Sequence, residues 1–469
     1  MAVAGRRLGA SGRRTAGRDG RRHDDDGRTA SGTAARARRA WLPQRNALPG
    51  AGPLWKTAGM EAPTRNHDLV LFGATGFVGE LIAGYLAHHA PPDLRVGLAG
   101  RSRVKLEAVR SRLPVAAHDW AIIEADIGRP DSLAAMAAGT RVLFTTVGPY
   151  AKYGLSVVEA CARAGTHYGD LTGEVSFVRE AVDRWDALAR ATGARIVHAC
   201  GYDSVPSDLA VLLLHQAAQA DGAGGLTEVQ LVARAKGGVS GGTIESMRGQ
   251  LDGIRTDPVL RSLARDPYSL SPDRTAEPVT RQPPDLGWVG RSDDGKWAAP
   301  FIMASVNTRI VRRSNALQGW AYGRTLRYGE VMGMGRGPVG AVTAGATALG
   351  LRLSGAALAL PVTRRLLDRV LPSPGAGPSE AARRSGWFHS QVTASTESGR
   401  RYRAIAAGPG DPGYAATAVM AGETVLSLAL DADRLPPATG SLTPATALGD
   451  VLVERLREAG QTYEVTSLT

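Results

Sequence analysis

The chain has 469 residues, 43% of them hydrophobic and 21% charged, which is enough for two domains with substantial cores. Its net charge of +12 is unevenly spread, because residues 1–59 hold twelve Arg and one Lys against four Asp and the other 410 residues carry only +3. This distribution excludes a nucleic-acid-binding face on the folded part. Two cysteines in apolar surroundings, Cys161 and Cys200, exclude a disulfide framework and indicate a reducing compartment, the cytoplasm.

Residues 1–65 form an Arg-, Gly- and Ala-rich extension that we predict to be disordered, since it has almost no apolar periodicity. Three interpretations are open: an organellar transit peptide, a basic nucleic-acid arm, or untranslated sequence before a start at Met60. The acidic run 24–26 opposes the first interpretation. We favour the third, because the first predicted strand follows Met60 closely. No apolar segment typical of a secretory signal follows the N-terminal charges.

From residue 66 onward, short apolar strands alternate with helices. This rhythm predicts an α/β fold, a Rossmann-type doubly wound parallel sheet that forms an NADP-binding domain over residues 66–220. The predicted strands are 68–72, 94–99, 121–125, 142–147, 167–171 and 195–199, and the predicted helices are 77–89, 103–113, 130–138 and 154–164.

After a glycine-rich stretch at 221–225 the rhythm changes, and residues 221–469 predict a C-terminal α+β domain with long insertions. Its predicted strands are 226–236 and a hairpin over 385–407, and its predicted helices are 242–254, 412–431 and 445–459. An apolar insertion near 338–362 contains one charge, Arg352. We interpret it either as a buried helix pair or as a hairpin that contacts a membrane or lipid.

The segment Leu69–Gly79, LVLFGATGFVG, joins a strand to a helix through three glycines. Such a turn lets the backbone approach a dinucleotide pyrophosphate, which the N–H groups at the start of the helix then bind. The spacing is GxxGxxG and not GxGxxG, so the strand before it and the helix after it support the prediction. The predicted cofactor-binding residues are Gly73, Thr75, Gly76, Phe77, Val78 and Gly79.

The second strand ends in Gly-Arg-Ser-Arg, where NAD-preferring enzymes usually carry an acidic residue for the ribose 2′-hydroxyl. Arg101 can clamp a 2′-phosphate bidentately and Ser102 can donate a further hydrogen bond, so the cofactor is predicted to be NADP. Asp126 follows the third strand, where its carboxylate can accept from the adenine amino group. Alternatively, it only leads into a helix.

The fourth strand ends in Val-Gly-Pro-Tyr, at the sheet edge that meets the nicotinamide. Gly148 and Pro149 are predicted to shape the backbone beside the cofactor. Tyr150 and Lys152 are the predicted catalytic residues, as a general acid or as partners of a developing oxyanion. Alternatively, Tyr150 only packs against the nicotinamide ring. The turns 170–174 and 201–208 face the same edge. We interpret each either as part of the floor of the pocket or as a cap of the helix that follows. No metal site is predicted, since the His and Cys residues show no ligand spacing.

The motifs LVLFGATGFVG, LAGRS, VGPYAKYG, YGDLTGE and GYDSVPSD occur in this order, and DPYSLSPDR, RRSNAL and TPATALGDVLVERLREAG follow. Together they resemble the saccharopine dehydrogenase-like family, in particular its trans-acting enoyl reductase branch from actinobacteria. The resemblance covers residues 66–464. It implies an NADPH-dependent oxidoreductase that reduces enoyl thioesters carried by polyketide synthases during cell-envelope lipid biosynthesis. It also implies cofactor contacts from residues 73, 75–79, 101 and 102.

Two other functions stay open. One is a saccharopine dehydrogenase-type reduction of an imine, in which Arg309, Arg312 and Arg313 are available to hold substrate carboxylates. The other is a catalytically silent NADP-binding protein at a lipid surface, in which the apolar insertion carries the function. For the favoured enoyl reductase we expect an enoyl-thioester substrate, no nucleic acid, peripheral lipid contact, and a cytoplasmic location at the inner face of the plasma membrane.

Overall fold

The computed structural model describes residues 65–237, 241–287, 289–359 and 377–469, with side chains except those of 241–244 and 355–359. The predictions of a disordered extension and of a start at Met60 therefore lie outside the described residues, as do residues 360–362 of the predicted insertion.

A seven-stranded sheet with only parallel pairings forms the first half of the fold, in the order β13-β6-β5-β4-β1-β2-β3. This order reverses direction beside β1, as in a doubly wound sheet, so the predicted fold class is confirmed. Its strands are β1 His67–Phe72, β2 Val96–Gly100, β3 Ala121–Glu124, β4 Thr140–Thr145, β5 His167–Asp170, β6 Arg195–Val197 and β13 Gly440–Leu442.

Helices cover both faces of this sheet, and β1 shows why. Its side chains alternate, with Leu69 and Leu71 in one apolar core and Val70 and Phe72 in the other. Each helix on the sheet buries its apolar side in one of these two cores. The helices are α1 Phe77–His89, α2 Arg103–Arg110, α3 Pro130–Ala138, α4 Tyr150–Ala164, α5 Val175–Thr192 and α6 Val205–Ala220, and a short 3₁₀ turn spans Val115–Ala117.

The second sheet also has seven strands, in the order β14-β12-β11-β7-β10-β9-β8, and it is mixed. Strands β7 and β10 pair parallel, while the predicted hairpin is present as β11 and β12, paired from Trp387–Pro409 to Ser395–Arg401. The strands are β7 Leu226–Lys236, β8 Gly290–Arg291, β9 Trp297–Pro300, β10 Arg327–Gly335, β11 Trp387–Thr396, β12 Arg401–Pro409 and β14 Thr462–Ser467.

The helices of this second half are α7 Gly241–Thr256, α8 Pro258–Arg265, α9 Ala304–Leu317, α10 Gly337–Ala359, α11 Glu380–Arg384, α12 Thr417–Leu430, α13 Pro444–Ala447 and α14 Gly449–Glu458, with a π turn at Pro412–Ala416. The C-terminal segment also returns to the first sheet, because β13 pairs with β6 from Gly440–Arg195 to Leu442–Val197. Helix α12 packs there too, and its Met420 and Val425 share a core with Leu69. The domain boundaries near residue 220 stay a prediction.

The apolar insertion begins as one helix, α10, and not as a pair within the described residues. Ala344 and Ala348 are buried, whereas Val339, Val342, Leu349 and Leu353 are 58–75% exposed. In the described part of the chain, the one stretch long and apolar enough to cross a membrane is Pro412–Leu430, and 78% of its 18-residue window is buried inside the protein.

Candidate functional site

The glycine turn between β1 and α1 is packed so closely that side chains are excluded from two of its positions. Gly73 has a φ of +94°, and a Cβ there would lie 2.7 Å from Thr146 Oγ1. A Cβ on Gly79 would lie 2.2 Å from the carbonyl oxygen of Gly73. Gly76 is the exposed N-cap of α1, and no side chain caps the helix there. The start of α1 is therefore open to an anion.

Phe77 and Val78, with Thr75, are half-buried at this turn. Phe77 contacts the C-terminal part of the chain, where Tyr414 packs edge-on at 5.2 Å between ring centroids and the Arg383 guanidinium lies 5.2 Å from the ring. Sequence reasoning missed this contact, because the residues are more than 300 positions apart and no local pattern joins them.

Arg101 lies exposed at the end of β2, and among the described residues no hydrogen bond or ion pair occupies its guanidinium. Arg103, two positions later, is committed, because its Nε lies 2.9 Å from Glu124 Oε1. Ser102 caps α2, accepting the N–H of Lys105 at 3.5 Å, and keeps its hydroxyl proton for donation. Arg101 and Ser102 thus keep donors at the end of β2, the strand that pairs with β1, and their contact with a 2′-phosphate stays a prediction.

Asp126 forms a local turn after β3, where its Oδ1 accepts the N–H of Gly128 at 2.8 Å. The backbone of Asp126 also bonds Ser132 Oγ at 3.1 Å. The contact with adenine stays a prediction, and the other carboxylate oxygen is the atom that would make it.

Tyr150 is buried at the start of α4, and its hydroxyl joins two strand ends. It donates to the carbonyl of Thr145 at 3.1 Å and accepts the N–H of Leu171 at 3.2 Å. Burial raises the pKa of Tyr150 well above its ordinary value, and the nearby Asp170 carboxylate adds to the shift. Gly148 and Pro149, joined by a cis peptide bond, precede it and are partly or fully exposed at the sheet edge.

Lys152 is exposed on the first turn of α4, with Nζ 5.0 Å from the centroid of the Tyr153 ring. A hydrogen bond with Tyr153 raises the pKa of Lys152, and the Glu245 carboxylate of α7 adds to this. The amine therefore stays protonated at neutral pH. Catalytic roles for Tyr150 and Lys152 stay predictions.

The turn 170–174 holds the sheet edge together. The Glu174 carboxylate accepts the N–H groups of Tyr150 at 3.0 Å and Ala151 at 2.9 Å, so it caps α4 from another element. Asp170 accepts Tyr168 Oη at 2.9 Å and contacts His198 Nδ1 at 2.7 Å. These carboxylates support the backbone of the pocket, and sequence spacing alone could not assign them those partners.

Buried polar contacts join α6 to the second sheet. Asn307 Nδ2 donates to Glu330 Oε2 at 2.9 Å and to Ser207 Oγ at 3.2 Å. Asp208 accepts the N–H of Ala445 at 2.8 Å. Burial raises the pKa of Asp208 to about 6 and that of Glu330 to about 7.

The three arginines considered for substrate carboxylates are buried on α9 and are committed to the protein itself. Arg312 donates to the carbonyls of Pro267 and Tyr328, and Arg313 to those of Leu270 and Ser441. Arg309 pairs with Asp285 and donates to the carbonyl of Ala264. This geometry removes the residue-level support for an amino-acid substrate, because both terminal nitrogens of each guanidinium already have acceptors.

The residues present fit NADP. An uncapped helix start follows a turn that excludes Cβ atoms, and an uncommitted guanidinium stands at the end of the neighbouring strand. Gly73, Gly76 and Gly79 would admit the pyrophosphate, and Arg101 with Ser102 would hold the 2′-phosphate.

Comparisons with known proteins agree with this site. Residues 69–197 match the family model described as the saccharopine dehydrogenase NADP binding domain. The chain is 51% identical over 418 residues to a protein of Mycobacterium tuberculosis provisionally named trans-acting enoyl reductase, covering 87% of this chain and 100% of that one. It is 44% identical over 421 residues to the trans-acting enoyl reductase of Mycobacterium ulcerans, with the same two shares.

Among solved structures, apo saccharopine dehydrogenase (L-Glu forming) from Saccharomyces cerevisiae matches with a TM-score of 0.49 at 14% identity, over 86% of this chain and 99% of that one. The family matches confirm the predicted family, the NADP cofactor and the oxidoreductase class. The chain carries a saccharopine dehydrogenase-type NADP-binding domain and belongs to the trans-acting enoyl reductase family.

Proposed function

We propose that this protein reduces the carbon–carbon double bond of enoyl thioesters that a partner polyketide synthase carries, in the assembly of cell-envelope lipids. The observation that carries the proposal is the identity of 44–51% along the whole length of relatives named trans-acting enoyl reductase. The committed arginines of α9 further favour an enoyl substrate over an amino acid, because they leave no free cation on that helix for a substrate carboxylate.

NADPH supplies, when bound, the hydride that reduces the double bond. The protein must hold the acyl thioester against the carboxyl edge of the first sheet, stabilise the negative charge that develops on the thioester oxygen, and deliver a proton. Lys152 is proposed for the charge, since its ammonium is exposed at this edge and stays protonated. Tyr150 is proposed as a second polar group there, and its hydroxyl already fixes the ends of β4 and β5.

The test follows NADPH oxidation by the full chain at 340 nm, with short and long enoyl thioesters as substrates. An amine and a carbonyl compound that together form a saccharopine-type imine, called the imine pair, are the competing substrate. We expect turnover of the enoyl thioesters and a preference for carrier-bound over free substrate. Turnover of the imine pair alone would replace the proposal with the amino-acid reaction. Tight NADPH binding without turnover of either would favour a silent nucleotide-binding protein.

We also propose that helix α10 contacts the surface of an anionic bilayer, which places the protein at the inner, cytoplasmic face of the plasma membrane. Four large apolar side chains of α10 are exposed, and a stripe of this kind on a soluble protein usually marks a contact surface. Residues 336–384 contain seven Arg against two acids, although residues 60–469 carry a net charge of only +3. Positive charge and exposed apolar side chains in the same part of the sequence are what anionic lipid attracts.

Co-sedimentation with vesicles tests this contact. We expect the protein to bind vesicles that contain about one third phosphatidylglycerol, and to be released by Val342→Gln combined with Leu349→Gln, because burial of both side chains contributes roughly 1.5–3 kcal/mol each. Val104→Gln is the matched control, since Val104 is 76% exposed on α2. Equal sedimentation of the double variant and the wild type would rule out this face.

A further inference from the structure

Asp203 lies in the turn between β6 and α6, at the edge where the parallel strands of the first sheet end. Strand β6, which precedes this turn, pairs with β5, and β5 pairs with β4 up to Asp170 and Thr145. Adjacent parallel strands are about 4.8 Å apart, so these strand ends form one continuous edge. In doubly wound sheets the reacting half of a dinucleotide meets this edge, beside the point where the strand order reverses.

Asp203 differs from the other carboxylates of this region in its hydrogen bonding. Asp170, Glu174 and Asp208 each accept backbone N–H groups. Within the described ranges, the carboxylate of Asp203 accepts none and is half-buried. It does not cap α6 either, because Ser204 is the N-cap of that helix and no side chain bonds its N–H groups. Among the described residues, no hydrogen bond ties this half-buried carboxylate to a structural role, so its oxygens are available to a ligand at the sheet edge.

The edge of the sheet that carries Asp203 also offers apolar surface to an acyl chain. Half-buried apolar side chains lie at the same edge, among them Val147, Leu171 and Met303. Met303 Cε and Val306 Cγ2 come within 4.0 Å of the position that a Cβ on Gly173 would take, so the start of α9 faces the end of β5. Apolar side chains and one carboxyl group without a hydrogen-bond partner among the described residues therefore lie at the edge where the nicotinamide is predicted.

The titratable groups that act on Asp203 are Asp170 on β5, Tyr150 on α4 and Tyr202 in its own turn. Desolvation, with repulsion from Asp170, raises the pKa of Asp203 to about 6. A carboxyl group tuned toward neutral pH can hold a proton in the resting enzyme and release it during turnover.

We propose that Asp203 is the acid that protonates the substrate α-carbon, an inference that rests on the proposed enoyl reduction. As hydride reaches the β-carbon, the π electrons of the double bond move into a thioester enolate. The enolate α-carbon then takes the proton from the Asp203 carboxyl group, a C–H bond forms, and the O–H bond of the carboxyl group breaks. Asp203 is left as a carboxylate, which recovers a proton from water.

The experiment compares wild type with Asp203→Asn, Asp203→Ser and Asp203→Glu, using an enoyl thioester and NADPH. We expect both neutral variants to lose about 100-fold or more in kcat, with NADPH affinity within about twofold of wild type by protein-to-nicotinamide fluorescence transfer, a control for folding. Asp203→Glu should recover part of kcat. Asp93→Asn is the matched control, since Asp93 is exposed before β2, at the opposite edge of the sheet.

Two readouts separate protonation from a structural role. The wild-type kcat should fall with rising pH above about 6, because the acid has a pKa of about 6 and loses its proton there, and the neutral variants should lose this dependence. In deuterium oxide the wild type should place deuterium on one face of the α-carbon, whereas Asp203→Asn should place it on both. If the wild type turns over the substrate and Asp203→Asn keeps both the wild-type kcat and its facial selectivity, the assignment is overturned. A wild type that turns over no enoyl thioester overturns the proposed function, and the assignment with it.

Discussion

Arg101 and Arg103 are separated by one residue, but only Arg103 forms an ion pair among the described residues. Arg103 lies on the first turn of α2 and pairs with Glu124 of β3. Arg101 lies at the end of β2, and within the described ranges nothing pairs with it. An exposed ion pair contributes about 0–1 kcal/mol to stability, so Arg103 adds little. Arg101 keeps its donors for a ligand.

Arg101→Ala should therefore weaken NADPH binding and leave NADH binding nearly unchanged, because only NADPH carries a 2′-phosphate. Loss of charge-assisted hydrogen bonds worth about 2–3 kcal/mol corresponds to a Kd for NADPH that rises roughly 30- to 150-fold. Fluorescence titration with both cofactors measures this difference. Arg103→Ala removes the same charge from the same turn and should change neither Kd by more than about twofold. An equal loss of affinity for NADPH and NADH in Arg101→Ala would contradict the assignment.

Tyr150→Phe tests the hydroxyl that joins β4 and β5. Its removal leaves the Leu171 N–H without its acceptor, so we expect the free energy of unfolding to fall by about 1–3 kcal/mol in urea denaturation. Tyr153→Phe, on the same helix and half-buried, is the control for the free energy of unfolding and not for kcat, because its hydroxyl bonds Lys152. A catalytic role would appear as a loss of kcat in fully folded enzyme. An unchanged kcat would leave Tyr150 with a structural role only.

At the scale of elements, local signals decided which parts of the fold the sequence could predict. Helices 77–89 and 130–138 were predicted to the residue, since a glycine turn or Pro130 marks each start. Strands β9 and β13 were missed, because they are short and their pairing is non-local. In the site, the role of Arg101 could be predicted because the residue directly follows a strand. The capping of α4 by Glu174 and the lack of a hydrogen-bond partner for Asp203 among the described residues could not, because both depend on tertiary contacts.

Replacement of two glycines of α1 by alanine should have opposite effects on the free energy of unfolding. A Cβ on Gly79 would meet the Gly73 carbonyl at 2.2 Å, while a Cβ on Gly84 would meet nothing within 4 Å. We expect Gly79→Ala to lower the free energy of unfolding by about 1–3 kcal/mol and to weaken NADPH binding. Gly84→Ala should raise the free energy of unfolding by up to about 1 kcal/mol, through helix propensity. Thermal denaturation with and without NADPH measures both, and effects of the same sign would contradict this packing.

For the whole molecule, buried carboxyl groups between the two sheets link stability to pH. Glu330 is fully buried, with Oε1 accepting Tyr328 Oη at 2.6 Å and Oε2 accepting Asn307 Nδ2 at 2.9 Å. Burial raises its pKa to about 7, from 4.5 for the ordinary side chain. Between these values the folded protein binds more protons than the unfolded chain, so stability falls as pH rises. The contribution is fully present below the unfolded pKa and is lost by about pH 7.

We therefore expect the free energy of unfolding to decrease from pH 4.5 to pH 7, with Glu330 accounting for up to about 3 kcal/mol. Glu330→Gln should flatten the dependence in this range, because the amide can bond Tyr328 and Asn307 without titrating. Glu458→Gln, at an exposed position on α14, is the control. Urea denaturation at a series of pH values measures the slope. A slope equal to that of wild type would show that Glu330 does not titrate there.

The pairing of β13 with β6 has a consequence for how the protein is made. The nucleotide-binding sheet gains its outer strand at Gly440–Leu442, roughly 240 residues after Val197 of its neighbour leaves the ribosome. At about 5–20 residues per second, translation of that interval takes on the order of ten seconds or longer. During this time the edge of β6 is an unpaired template for other strands. During this interval, binding of a chaperone or of the cofactor would do most to keep the exposed edge of β6 in the nascent chain from pairing with other strands.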